Sequence, residues 1–102
     1  MATRKELDSL LREIPGIDHV YFQPPPNFQM EFDCIVYELA DIHTRRADNK
    51  HYVVHKRYTV TLVMRKYNEA TIDALLNKFD MISFSREFRS DNLYHHVFDL
   101  YF

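Results

Sequence analysis

The sequence predicts an α+β domain in which a mainly antiparallel sheet of about five strands is packed by two helices, in the order α-β-β-β-α-β-β. Two segments place apolar residues at helical spacing, and several others alternate apolar with polar residues as half-buried strands do. Turn-forming residues separate these segments. The chain has 102 residues, of which 46% are hydrophobic, so residues 1–102 are expected to form a single domain.

The first helix is predicted close to the start of the chain. Thr3 followed by Glu6 has the spacing of a capping box. Pro15 and Gly16 are expected to end the helix. Its apolar positions recur at helical spacing, at Leu7, Leu10, Leu11 and Ile14.

Three strands follow the first helix. Residues 19–23 are strand-like and stop at a run of three prolines, residues 24–26, which belongs on a surface or a sheet edge. The next segment, residues 28–32, is apolar at every second position and is predicted to be extended with one apolar face. Residues 34–39 form the second strand, which is expected to be central because its beginning is apolar on both faces.

The third strand spans residues 53–66, where apolar and polar side chains alternate. A polar segment, residues 41–52, joins it to the second strand and carries turn chemistry at residues 47–50. The sequence therefore predicts a long hairpin arm between two antiparallel neighbours.

The second helix is predicted to begin after Asn68, which can cap it. Its buried stripe is expected at Ile72, Leu75, Leu76 and Phe79. Strands at residues 81–88 and 93–102 then flank a turn at residues 90–92. The last strand is expected to lie at an edge of the sheet that a neighbouring molecule could cover.

Composition excludes several classes of function. Gly16 is the one glycine, and a single glycine cannot build a phosphate-binding loop, a dinucleotide fingerprint or a nucleophile elbow. The single cysteine, Cys34, cannot form an internal disulfide and is expected to be a buried small apolar residue, which fits a reducing compartment. Neither a membrane-spanning stretch nor a signal peptide is predicted.

Metal and catalytic sites are not predicted either. His95 and His96 are adjacent in a strand and point to opposite faces, while His51 and His55 lie about 13 Å apart if extended. The six histidines are therefore interpreted as exposed or interface residues. The carboxylates near the end of the chain have no nucleophile or base beside them in sequence, so catalytic, cofactor-binding and metal-ligating residues are all predicted to be none, and the chain is expected not to be an enzyme.

Charge is segregated along the chain, although the net charge is only −2. Seven of the 13 lysines and arginines fall within residues 41–66, where the acids are Asp41 and Asp48 alone. Three interpretations stay open: a solvated hairpin, an arm that meets an acidic patch on the next copy of the chain, and an arm that contacts nucleic-acid phosphates. The basic residues are Arg45, Arg46, Lys50, Lys56, Arg57, Arg65 and Lys66, and acids gather just before them at Glu31, Asp33 and Glu38.

Several motifs, taken in order, resemble small structural proteins of tailed bacteriophages, of the tail-terminator or tail-completion type. The resemblance covers nearly the whole chain. Its motifs lie at residues 20–25 (VYFQPP), 34–37 (CIVY), 47–49 (ADN), 57–62 (RYTVTL) and 91–102 (DNLYHHVFDLYF).

The resemblance implies a small α/β domain that forms a six-fold homo-oligomeric ring on the last ring of the tail tube. Such a ring stops tube polymerisation and joins the tube to the head-side connector or neck proteins. The resemblance also implies a location in the virion after assembly in the host cytoplasm, no enzymatic activity, no cofactor and no membrane contact, with DNA passing through the lumen unread. Because the chain is shorter than many terminators, a neck or head-completion protein is the alternative.

These expectations place two groups of residues at contact surfaces. The hairpin arm is predicted to contact a neighbouring subunit or the lumen through Arg45, Arg46, Asp48, Asn49, Lys50 and Tyr52. An outer or ring-facing surface is predicted at Tyr21, Phe22, Pro24 and Pro25. A less favoured hypothesis is a small nucleic-acid-binding module that uses the same arm, with Tyr52 and Tyr58 as stacking platforms.

Overall fold

The computed structural model describes residues 3–47 and 50–102, with the backbone alone at positions 43–47 and 50–55. Two helices and five strands follow one another in the predicted order. They are α1 (Arg4–Arg12), β1 (His19–Phe22), β2 (Cys34–Ala47), β3 (Lys50–Met64), α2 (Glu69–Lys78), β4 (Ile82–Ser90) and β5 (Leu93–Tyr101).

The five strands form one mixed sheet in the order β1-β2-β3-β5-β4. β1 runs parallel to β2, whereas β2 with β3, β3 with β5 and β5 with β4 are antiparallel pairs. The predicted α+β class and element order are confirmed, but the sheet is mixed rather than purely antiparallel. A parallel pair needs a connection that crosses back over the sheet, and residues 23–33 supply it.

The core lies on the face of the sheet that the two helices cover, called here the helix face. Strand residues alternate between the two faces, so the side chains that the strands contribute to this core recur at every second position. The helices contribute Leu7, Leu11, Ile72 and Leu75 to the core, and the segments just after them contribute Ile14 and Phe79. The strands contribute Val20, Ile35, Tyr37, Tyr58, Val60, Leu62, Met64, Phe98 and Leu100.

The connection between β1 and β2 packs on the opposite face, called here the back face. His19 and Tyr21 are on this face because Val20 between them is buried in the core. Tyr21 packs edge-on against Phe28 at 5.2 Å between ring centroids, and its hydroxyl accepts a hydrogen bond from the backbone N–H of Glu31. The extended segment predicted at residues 28–32 is not a strand of the sheet.

The sheet has β4 at one edge and β1 at the other, while β5 lies between β3 and β4. The expectation that the last strand forms an edge is therefore wrong. The helix α2 connects β3 to β4, and β4 lies at the edge of the sheet with a strand position left between it and β3. The turn at Asp91 and Asn92, both with positive φ, then folds β5 back against β4 into that position.

The predicted hairpin arm is present, and its two strands stay paired further toward the turn than the sequence predicts. β2 and β3 stay paired from Cys34 with Val63 to Ala47 with Lys50, so the polar segment is itself strand. β5 pairs with β3 no further than Arg57 with Tyr101. Residues 41–47 and 50–56, called here the arm, thus extend beyond the rest of the sheet as a two-stranded ribbon.

Gly16, in the turn that follows α1, lies against the start of α2. Its φ is +85°, a backbone conformation that favours glycine. A β-carbon at Gly16 would lie 2.9 Å from the hydroxyl of Thr71, which donates a hydrogen bond to the carbonyl of Pro15. Asn68 caps α2 as predicted, since its side chain accepts from the N–H of Thr71, and Thr3 caps α1 by accepting from Glu6.

A polar network ties α1 to the sheet. The Tyr37 hydroxyl donates to Asp8 Oδ2 at 2.6 Å, and Arg12 Nε donates to the other carboxylate oxygen at 2.5 Å. Burial opposes ionisation of Asp8, but these hydrogen bonds and the charges of Arg12 and Arg4 together lower its pKa. Burial, followed by the bond to Asp8, raises the pKa of Tyr37 to about 12.

Replacing Gly16 by alanine is expected to destabilise the fold by about 2 kcal/mol, because alanine is strained at positive φ and its β-carbon crowds Thr71. Urea unfolding measures the loss. In a Thr71→Ala background the contact is absent, so Gly16→Ala should cost only about 1 kcal/mol there. Equal costs in the two backgrounds would show that the contact with Thr71 contributes nothing.

Asp8→Asn is expected to lower stability at neutral pH by about 1–2 kcal/mol, because charge-assisted hydrogen bonds are lost. The folded pKa of Asp8 lies below its ordinary value, so its contribution is present above about pH 4 and is lost as pH falls through the folded pKa. The melting temperature of Asp8→Asn should therefore fall less steeply in acid than that of the wild type. Asp73→Asn, an exposed change on α2, is the control and should retain the wild-type profile.

Candidate interaction surfaces

The arm carries the residues predicted to contact a neighbour. Arg45 and Arg46 lie in β2, with Tyr52 and His51 of β3 as their paired residues, and Lys50 pairs with Ala47. The structure thus brings Arg45, Arg46, Lys50 and Tyr52 together at the distal end of the ribbon. The predicted contact residues Asp48 and Asn49 lie outside the described residues.

Two basic residues outside the arm are paired within the chain, Arg57 at its base and Arg65 at the opposite end of the β2–β3 pair. Arg57 lies 3.6 Å from Asp99 across the β3–β5 pair. Arg65 lies 3.6 Å from Asp33, whose carboxylate also accepts a hydrogen bond from the backbone N–H of Arg65. Two of the acids expected to face a neighbouring copy are therefore engaged internally, since Asp33 pairs with Arg65 and Glu31 lies 2.8 Å from His19.

The second predicted surface does not form one patch. Tyr21 and Phe22 are adjacent in β1 and so point to opposite faces. Phe22 lies on the helix face, 4.9 Å from the Tyr37 ring, with the Arg4 guanidinium 4.5 Å above its own ring. Pro24 is half-buried and Pro25 is exposed, so Pro25 alone of the four is freely available.

β4 is an exposed edge strand that sequence reasoning did not single out. It pairs with β5 alone, and every residue after Ile82 is exposed. Phe84 is opposite Phe98 and therefore lies on the helix face, where it is 50% exposed. Phe88 is opposite His95 on the back face and is 42% exposed. Exposed, apolar edge strands are sites where another chain can add a strand.

The outer edge of β2 is the second open edge. β1 covers β2 only from Cys34 to Tyr37. At the next position along this edge, Gln23 Oε1 accepts a hydrogen bond from the backbone N–H of Leu39. Beyond that point Leu39 and Ile42 are 37% and 43% exposed. The two open edges therefore lie on opposite sides of the same sheet.

The histidines near the end of the chain divide between the two faces, as the strand pattern predicts. His96 is buried on the helix face with Nε2 2.8 Å from a carboxylate oxygen of Glu87, although the approach falls outside hydrogen-bond geometry. The interpretation of the histidines as exposed or interface residues is therefore wrong for His96, because β5 lies between β3 and β4. His95 stacks on Phe88 at 4.6 Å on the back face. Within the described residues, no group of three or more histidine, cysteine or acidic side chains could hold a metal ion.

Two residues to which the sequence analysis assigned a role, Cys34 and Tyr58, are buried. Cys34 is buried as predicted, and burial raises the pKa of its thiol to about 12, which keeps it protonated and unreactive. Tyr58 is only 2% exposed and packs 6.1 Å from Tyr37. It presents no ring face to a base, so its assignment as a stacking platform is wrong.

Comparison with known proteins identifies no relative: no protein-family model matches the chain, and no curated protein sequence matches it. Neither helix is long and apolar enough to span a bilayer, over the part of the chain that the structure describes.

The sequence contained a weak signal for the β4 edge. Phe84 and Phe88 are apolar residues of the strand predicted at residues 81–88, and regular alternation would place them on the same face. The bulge between Phe84 and Arg86 places them on opposite faces instead, and alternation does not show whether either face is covered. Arg86 and Arg89 within the same strand are the better signal, since charged residues commonly protect an edge.

Removal of the arm is expected to leave the fold intact. Among side chains whose burial is described, the core of β2 reaches Tyr37 and that of β3 begins at Tyr58. Replacing residues 43–55 by Asn-Gly, which suits the turn between the paired residues Ile42 and Lys56, should change the free energy of unfolding by less than about 1 kcal/mol.

Urea unfolding measures the effect of this truncation. Leu62→Ala, a core change, is the control and should cost about 2–5 kcal/mol. A truncated chain that no longer unfolds cooperatively would make the arm part of the folding unit.

Proposed function

We propose that the chain is a structural virion protein of a tailed phage, a tail terminator that forms a homo-oligomeric ring at the end of the tail tube and joins it to the head connector. The proposal rests on the resemblance of the ordered motifs to this class. The observation that best supports an assembly role is the arm, because a two-stranded ribbon that extends past its own sheet needs a partner to be held firmly.

The exposed edges support the same role. β4 and the outer edge of β2 both carry apolar side chains that the chain itself does not cover. A protein with one such edge on each side can contact a neighbour at both, and head-to-tail contacts of this kind close into rings. The basic end of the arm then lies where it can contact the next subunit or the lumen through which DNA passes.

The function is tested by electron microscopy of particles from the encoding phage with this gene deleted. Overlong, irregular tails detached from filled heads are expected, since nothing stops tube growth. Tails of normal length with heads that leak DNA would contradict termination and assign the protein to the neck. Intact, infectious particles would contradict an essential assembly role and favour the nucleic-acid-binding hypothesis.

Reversing Arg45 and Arg46 to glutamate is expected to abolish incorporation into the virion, because charge repulsion replaces attraction at the arm. The deletion phage is complemented with the variant, and immunoblotting of purified particles measures incorporation. The control makes the same change in charge outside the arm, at the exposed Lys5 and Lys66, and should be incorporated normally. Normal incorporation of the arm variant would contradict its role in contact.

A further inference from the structure

The two open edges of the sheet are kept open by specific features. Gln23 has a φ of +44°, which turns the chain out of β1, and Pro24 begins the proline run that has no N–H groups to continue the strand. β1 therefore ends at Phe22, leaving the outer edge of β2 uncovered beyond Leu39. At the other side of the sheet, β4 is uncovered along its whole length.

On the helix face both open edges carry exposed apolar side chains, which on β4 are followed by Glu87 and Arg89. Leu39 is paired with Tyr58 and Ile42 with Lys56, which places them on the same face as the core, where they are 37% and 43% exposed. Phe84 of β4 is on this face too and is half exposed. Each edge thus presents exposed apolar side chains on the same face of the sheet as the core.

On the back face the two edges are oppositely charged. Asp41 is paired with Arg57 and lies on the back face with Glu38, so this edge of β2 carries two carboxylates. β4 carries Arg86 on the back face, opposite Val97. Within the described residues, neither these carboxylates nor Arg86 has an ion-pair partner within 4 Å, although Arg86 lies 5.5 Å above the Phe88 ring.

Strand direction makes the edges compatible. β2 is antiparallel to β3, and β4 runs in the same direction as β3 because both are antiparallel to β5. If the helix face of one copy is continuous with the helix face of the next, β4 of the first copy pairs with β2 of the second as an antiparallel neighbour. Phe84 then lies beside Leu39 and Ile42, and the apolar and the charged contacts fall on separate faces.

We propose that copies of this chain associate head to tail by pairing β4 of one copy with the open edge of β2 beyond Leu39 in the next, so that the sheet continues across subunits. The proposal rests on the proposed function for the presence of a second copy, and it names the surfaces that build the ring. The opposite charges restrict pairing to this combination, because β4 against β4 places Arg86 near Arg86.

Sedimentation equilibrium of the full chain tests the pairing. The wild type is expected to associate, Arg86→Glu to weaken association at least about tenfold, and the double variant Glu38→Lys/Asp41→Lys to weaken it similarly. Combining all three changes restores opposite charges and should recover association to within about threefold of the wild type. Lys5→Glu on α1 is the control and should associate normally.

Disulfide trapping gives a second measurement that does not depend on charge. A mixture of copies carrying Phe84→Cys with copies carrying Ile42→Cys should form a crosslinked dimer on oxidation. A mixture of Phe84→Cys with Lys66→Cys should not. Circular dichroism confirms that each variant is folded before it is compared.

The possible outcomes separate this proposal from the proposed function. A wild type that is monomeric at all concentrations, an Arg86→Glu variant that associates normally, or an absent crosslink overturns the edge pairing. Overlong tails in the deletion phage would then still support termination. Restored association in the triple variant, together with tails of normal length in the deletion phage, would support the pairing and contradict termination.

Discussion

The difference in length between the helices and the strands determines most of this structure. The helices have 9 and 10 residues and so are about 14–15 Å long, while β2 and β3 have 14 and 15 residues and extend for about 46–50 Å. Two such helices can cover only the middle of a five-stranded sheet. Among the side chains whose burial is described, the core therefore stops at Tyr37 and Tyr58. The arm beyond it and β4 beside it are left without a covering layer.

Local features of the fold could be predicted from sequence because short-range chemistry fixes them. Thr3 and Asn68 cap their helices since each offers a side-chain oxygen at the right position. Burial of Cys34 follows from the apolar run in which it lies. The division of His95 and His96 between faces follows from strand periodicity. The parallel pairing of β1 with β2 could not be predicted, because the sequence of residues 23–33 does not show in which direction the chain re-enters the sheet.

The candidate surfaces were less predictable, and for a related reason. Charge segregation located the arm correctly, but spacing along the chain did not reveal that Arg57 and Arg65 pair with Asp99 and Asp33 from distant segments. Alternation likewise gave Tyr58 and Phe84 the same apolar pattern. Strand order buries Tyr58 in the interior strand β3 and leaves Phe84 on the edge strand β4. Exposure of an apolar strand is thus decided by topology, which a single sequence does not contain.

The burial of Cys34 has a consequence for following the motions of the molecule. Its thiol lies in β2 opposite Val63 of β3 and is 0% exposed, so a thiol reagent can reach it only when this part of the sheet opens. The rate at which the native chain is alkylated therefore reports how often β2 and β3 separate at the end of their pairing that lies farthest from the arm. Since Cys34 is the only thiol in the chain, the signal needs no engineered label and has a single source.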